Sequence, residues 1–169
     1  MHPALIMTIG IPGSGKSSWL QKQMLSSNTP IHKITIISPD RIRLEKFKDI
    51  SNQDNNIEVW KIAKNRTMDY LKHGTSVILD ATNVNALYRG QFIEGLPPCR
   101  LMARLFPADP HVCFGRIQKD LKLSKTRANV PMSIILRMFG EFKETVRLIK
   151  AEGFEIIQDI NWNVSDCSH

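Results

Sequence analysis

The chain has 169 residues, 42% hydrophobic and 23% charged, a composition that suits one soluble globular domain with a sizeable core. Lys and Arg number 23 against 16 Asp and Glu, a net charge of +7, and that surplus favours a polyanionic substrate or partner. The three cysteines, Cys99, Cys113 and Cys167, have neither disulfide-framework nor zinc-ligand spacing. The opening apolar run is too short for a signal peptide and no segment reaches membrane length, so a reducing, cytoplasmic location without membrane association is expected.

Short apolar runs alternate with longer segments of helical period, as a parallel sheet with crossover helices requires. The first predicted strand, residues 4–9, runs straight into GIPGSGKSS. There Gly10, Gly15, Lys16 and Ser17 complete the pattern G-x-x-x-x-G-K-S, ahead of a helix predicted over 16–26. This is a phosphate-binding P-loop in its strand-loop-helix setting. Gly13 and Gly15 let successive backbone N–H groups turn inward, and with Ser14, Ser18 and the helix N-terminus they form a cradle for phosphate oxygens. Lys16 adds a positive charge between the β and γ phosphates, and Ser17 is placed to ligate Mg2+ or Mn2+. ATP or another nucleoside triphosphate is the expected donor.

The second predicted strand, 34–37, ends in Ser38-Pro39-Asp40-Arg41-Ile42-Arg43. Taken alone, this reads as a turn with Asp40 as a helix N-cap. The polar run 48–56 has no period and is expected to be an exposed, mobile loop. A helix over 57–72 follows, then a strand over 76–80 ending in DATNVN, a helix over 86–94 and a strand over 101–106. The last elements are helices over 110–123 and 131–152 and a strand over 154–157. In the longest helix Ile134, Met138, Phe142, Val146 and Ile149 form a stripe expected to face the core. The tail after residue 160 carries no functional signal.

No guanine-reading N-K-x-D is present, which argues against a GTPase. Asp80 is followed by Ala81 rather than by an acidic residue, and the chain is short for a large ATPase. The expected fold is therefore α/β: a P-loop kinase with a central parallel sheet of four to five strands flanked by helices, and a small basic lid near 116–130. One domain is expected over 1–169, with its core over about 4–160.

Doubly wound sheets bind ligands beyond the carboxyl ends of their strands, so residues just after each strand are candidates for the acceptor side. Beside a P-loop, Asp40 becomes a candidate general base for an attacking hydroxyl. Arg43, one helical turn on, becomes a candidate anion clamp. Asp80, Thr82 and Asn83 either line the acceptor channel or make a turn and a helix cap, with Asp80 a partner of magnesium or of an arginine. In FGRIQKDLKLSKTRANVP, Arg116 and Arg127 suit a lid that closes over phosphates. Lys119 and Lys122 read as a solvated helix face.

With these pieces in place, the chain resembles the 5'-hydroxyl polynucleotide kinase module of bacteriophage and bacterial end-repair enzymes. GIPGSGKSSW, PDRIR, DATNVN and the basic segment ending in NVP stand in that family's order. The resemblance runs from Thr8 to about Ile157. It implies transfer of the γ-phosphoryl of ATP, or another nucleoside triphosphate, to the 5'-OH end of DNA or RNA. It further implies Lys16 and Ser17 as donor ligands, Asp40 as base, Arg43 near the acceptor phosphate, and Asp80, Thr82 and Asn83 along the acceptor channel. Arg116 and one of Lys125 or Arg127 would serve the lid. The family's lid arginine stands a few residues before the V-P pair, where Lys125, Thr126 and Arg127 compete for the place. Any 3'-phosphatase or ligase step would come from a separate partner, and a homo-oligomer is compatible with the sequence. The alternatives are a small-molecule P-loop kinase acting on a nucleoside, antibiotic, sugar or aminoacyl group, and a nucleotide-gated binding module.

Overall fold

The computed structural model describes residues 2–25, 34–48, 55–123 and 128–158. Five strands, β1 (Ala4–Ile9), β2 (Ile34–Ile37), β3 (Ser76–Leu79), β4 (Arg100–Leu105) and β5 (Glu155–Ile157), form one sheet in the order β2-β3-β1-β4-β5. All neighbours pair in parallel. The helices are α1 (Lys16–Leu25), α2 (Pro39–Phe47), α3 (Asn56–Lys72), α4 (Ala86–Ile93), α5 (Pro110–Leu123) and α6 (Met132–Leu148). The expected α/β fold with a five-stranded parallel sheet is therefore present. Of the polar run 48–56, residues 49–54 lie outside the described residues, as do Lys125, Thr126, Arg127, Cys167 and the tail.

The central strand β1 is buried at all six positions, because a parallel sheet is covered on both faces and its middle strands must be apolar throughout. Its pleat divides the core. Leu5, Met7 and Ile9 pack with Val59, Ala63, Phe92, Ile117, Ile135 and Phe142 from α3 to α6, whereas Ala4 and Ile6 pack with Trp19 and Leu20 of α1. Each fully enclosed Leu or Ile contributes about 1.5–3 kcal/mol, so β1 and the loop leaving it are among the most firmly held parts of the molecule. Strands β3 and β4 flank β1, and the chain steps across β1 between them. The crevice above the carboxyl ends of these strands is the switch point of the sheet.

Two features differ from the expectation. A helix, α2, occupies the segment after β2, with Ser38 as its extended N-cap and Pro39 in its first turn, where a missing N–H costs nothing. It stops at Lys48, whose φ of 58° is left-handed. In α6 the buried residues are Ile135, Phe142 and Thr145, with Ile149 just beyond, while Val146 is 47% exposed. Steps of four residues advance about 400° around a helix and drift by about 40° each time. The expected stripe holds the core at Met138, Phe142 and Ile149 and leaves it at Val146, whereas steps alternating between three and four keep to it. The helix also ends at Leu148 rather than near 152, because the chain turns back through Gly153 (φ 89°), whose N–H donates to the Lys150 carbonyl.

Candidate active site

The loop after β1 is held from three sides. Gly10 N–H donates to the Thr82 carbonyl at 3.0 Å, and Ser14 N–H closes a turn onto the Ile11 carbonyl at 3.2 Å. A Cβ at Gly13 would stand 2.6 Å from the Cys113 carbonyl oxygen of α5, and the φ of 81° there adds a second reason for glycine. Gly15 meets no neighbour; its φ of 99° alone requires glycine. Lys16 folds back over the loop, its Nζ donating to the carbonyls of Gly10 (2.8 Å) and Ile11 (2.9 Å) and lying 3.5 Å from Ser14 Oγ. From α5, Arg116 Nη1 donates to the Gly13 carbonyl at 3.2 Å. Ser17 and Ser18 are exposed at the head of α1. A hydroxyl so placed fits a divalent cation shared with phosphate oxygens and water.

The second group stands on α2. Asp40 is not the N-cap of this helix; Ser38 is. The Asp40 carboxylate accepts from Arg43 Nη1 at 2.6 Å, with Asp40's side chain 67% exposed and Arg43's 7%. The other terminal nitrogen of Arg43 donates to Asn56 Oδ1 at the start of α3, while its Nε has no hydrogen-bond partner among the described residues. A buried guanidinium is thereby aimed by two oxygens at the sheet edge where Asp40 stands.

Asp80 lies between the two groups. Its backbone N–H donates to the Ile37 carbonyl at 2.8 Å, which ties the tip of β3 to the tip of β2. Burial raises its pKa, as does the nearby Asp40 carboxylate, while Lys16 and Arg41 pull it down. Asp80 thus stands at the tip of the strand between those that carry the P-loop and α2, with the charges of Lys16 and Asp40 both near enough to act on it. For an acid with a raised pKa the folded state disfavours the charged form, so its contribution to stability falls as pH rises through that pKa. Replacing Asp80 with Asn is expected to raise the melting temperature of the free protein at pH 7. The gain should fade as pH falls from the raised pKa towards the ordinary carboxylate value of about 4, and be gone below it. A lower melting point at pH 7 would show that attraction to Lys16 outweighs the cost of burial.

The rest of DATNVN is bound into the scaffold. Asn83, at φ 48°, donates from Nδ2 to the carbonyls of Thr8 (2.8 Å) and Leu79 (3.2 Å). Thr8 Oγ1 donates to the carbonyl of Ala81 at 3.1 Å. Neither Asp80 nor Asn83 caps a helix; the N-cap of α4 is Asn85, whose side chain accepts from Tyr88 N–H. Thr82 contributes its carbonyl to Gly10. These contacts make Asn83 a brace between β1 and β3 and give Asp80 the free carboxylate of the motif.

Two functional neighbours escaped the sequence reading. Asn56, which fixes Arg43, fell inside a polar run read as loop. Arg89, only 1% exposed, grips Glu152 through Nε (2.9 Å) and Nη2 (2.6 Å) and donates from Nη1 to the Asn83 carbonyl at 2.7 Å and to Thr145 Oγ1 at 3.0 Å. Thr145 in turn donates to the Val84 carbonyl at 2.7 Å. An arginine three residues before Phe92 on an otherwise apolar helix face was the available signal. Removing one partner of a buried pair costs about 3–5 kcal/mol. Arg89→Met is therefore expected to lower the melting temperature by about 6–20 °C, and Glu152→Gln by less because the Gln amide oxygen can still accept from Arg89, whose bonds to the Asn83 carbonyl and Thr145 remain. A calorimetric melt of both variants checks this ordering.

This geometry defines a nucleotide-binding domain of P-loop kinase fold. The chain matches the AAA_33 family model, an AAA domain, over residues 5–145 and belongs to that family. It is similar to a chain of the Pnkp1/Rnl/Hen1 RNA repair complex at 20% identity, with a TM-score of 0.71, over 98% of this chain and 51% of that one. A chain of a second structure of the Pnkp1/Rnl/Hen1 complex is 24% identical, with a TM-score of 0.56, over 68% of this chain and 39% of that one. A gluconokinase from Sinorhizobium meliloti is 16% identical, with a TM-score of 0.58, over 95% and 85%. At these identities the likeness is one of fold. The chain spans about half or less of the two repair-complex chains it matches. No helix among the described residues is long and apolar enough to cross a membrane.

Proposed function

We propose that the chain is a 5'-hydroxyl polynucleotide kinase that transfers the γ-phosphoryl of ATP, or another nucleoside triphosphate, to the 5'-OH end of DNA or RNA. The observation that carries the reading is the Asp40–Arg43 pair, fixed by Asn56, with Asp80 at the neighbouring strand tip under the influence of both Asp40 and Lys16. A P-loop alone explains how a donor is held. A carboxylate and a buried guanidinium across the crevice supply the base and the anion clamp that an acceptor hydroxyl beside a phosphodiester needs.

In the reaction, the glycine-loop N–H groups and Lys16 hold the donor phosphates, and Arg116, already on the loop, closes over them. Asp40 takes the proton of the 5'-OH as its oxygen bonds to the γ-phosphorus and the bridge to the β-phosphate breaks, leaving the nucleoside diphosphate. Arg43 holds the phosphate on the 3' side of the acceptor nucleotide. A Mg2+ ion bound with Ser17 would neutralise charge on the donor phosphates. Arg127 or Lys125 would complete the lid. A 3'-phosphatase and a ligase step would finish an end repair.

The likeness to a gluconokinase over most of both chains supports the rival reading, a small-molecule kinase. Incubation with γ-labelled ATP, magnesium and a 5'-OH oligonucleotide separates the two. Label on the oligonucleotide is the expected result; its absence from both DNA and RNA, with label on gluconate or a nucleoside, overturns the proposal.

A further inference from the structure

Helices α3 and α4 both begin at the edge of the sheet that carries the crevice, since α3 leads down into β3 and α4 leaves its top. They lie side by side. Trp60 meets Phe92 edge-on at 5.9 Å, and Lys64 Nζ donates to the Gln91 carbonyl at 2.8 Å. Those contacts set Trp60 level with Phe92, so one turn nearer the crevice Asn56 and Ile57 stand level with Tyr88. Tyr88 and Phe92 are four residues apart and share a face, which turns Tyr88 toward α3. Yet Tyr88 is 68% exposed and Ile57 89%. From Ile57 the same outer ridge of α3 continues through exposed Lys61 and on to Lys64. The strip thus starts at Asn56, whose Oδ1 holds Arg43, and leads away from the crevice.

We infer that Tyr88, with Ile57, Lys61 and Lys64, forms a stacking strip for the single-stranded nucleic acid that trails the acceptor nucleotide. A ring and an apolar side chain exposed beside two cations match the alternation of base and phosphate in a single strand. A small acceptor would end at Arg43 and leave the strip without use. The inference rests on the proposed polynucleotide acceptor and deepens it by naming what reads acceptor length.

The test compares acceptors that end at different distances from the crevice: a nucleoside 3'-monophosphate, and 5'-OH hexamers of DNA and of RNA. Tyr88→Ala keeps the backbone N–H that Asn85 accepts, so α4 retains its cap. It is expected to raise KM for the hexamers about five- to hundredfold, the range of base–aromatic stacking, with a far smaller rise for the monophosphate and little change in kcat. Tyr88→Phe should restore the hexamer KM. The double substitution Lys61→Ala and Lys64→Ala should flatten the salt dependence of hexamer KM. A rise of equal size on short and long acceptors, or none on either, overturns the strip. Fluorescence anisotropy of a labelled hexamer separates this from failure of the kinase reading. Binding that depends on Tyr88 without phosphoryl transfer would sink the kinase function and keep the strip, whereas hexamer binding that is absent or indifferent to Tyr88 would sink the strip. A strip that meets a protein partner instead would give that indifference.

Discussion

Lys16→Ala is expected to lower kcat/KM for phosphoryl transfer by about 10²–10³-fold, the cost of removing one preorganised donor from developing phosphate charge. Nucleotide affinity should fall with it, since the same ammonium contacts the donor before and during transfer. In the free protein its Nζ donates to two loop carbonyls, Gly10 and Ile11, so the charge already sits over the loop when a nucleotide arrives. Those bonds also steady the loop, and a melting curve must accompany the assay. The loop keeps its bonds to the Thr82 carbonyl and from Arg116, and its close packing on the Cys113 backbone, whatever stands at position 16, so the variant is expected to fold. A folded Lys16→Ala protein that transferred phosphate at the normal rate would overturn the P-loop reading.

The sheet was legible because a buried parallel strand is a continuous apolar run, and each of the five runs became a strand. The P-loop was legible because the motif fixes Gly15, where a positive φ needs glycine, and Gly13 meets the same need at a position the motif leaves open. Helix α2 was harder to see. Ser38 and Pro39 look like a turn, and the helix buries Arg43 beside Ile42, so no amphipathic period announces it. The partners of Asn56 and Arg89 were hidden for a related reason. Each acts by holding another group through long-range contacts, Asn56 to Arg43 and Arg89 to Glu152 and the Asn83 carbonyl, and no local spacing encodes such a pairing. The chemistry assigned to Asp40 and Arg43 rested on their place beside the P-loop and on a family resemblance. The crevice they share with Asp80 and Lys16 emerges only when β2, β3 and β1 lie side by side.

Asp40→Asn separates base from scaffold. An asparagine keeps the size of the side chain and an oxygen that can accept from Arg43, but it cannot take a proton from a hydroxyl. Transfer is expected to fall about 10²–10⁴-fold, the usual worth of general base catalysis, with ATP affinity nearly unchanged because Asp40 stands across the crevice from the loop. The structural cost should be small: the carboxylate is 67% exposed, and a solvent-screened pair contributes about 0–1 kcal/mol. The substitution also tests how near the two carboxylates stand, whatever the role of Asp40. The Asp40 carboxylate helps to raise the pKa of Asp80, so removing it should move the titration of Asp80 downward, readable by carboxyl NMR in the folded variant. Transfer lost together with nucleotide binding would assign Asp40 to the scaffold. Transfer lost alone, with the Asp80 shift, would place the missing charge within reach of both the acceptor hydroxyl and the donor side of the crevice.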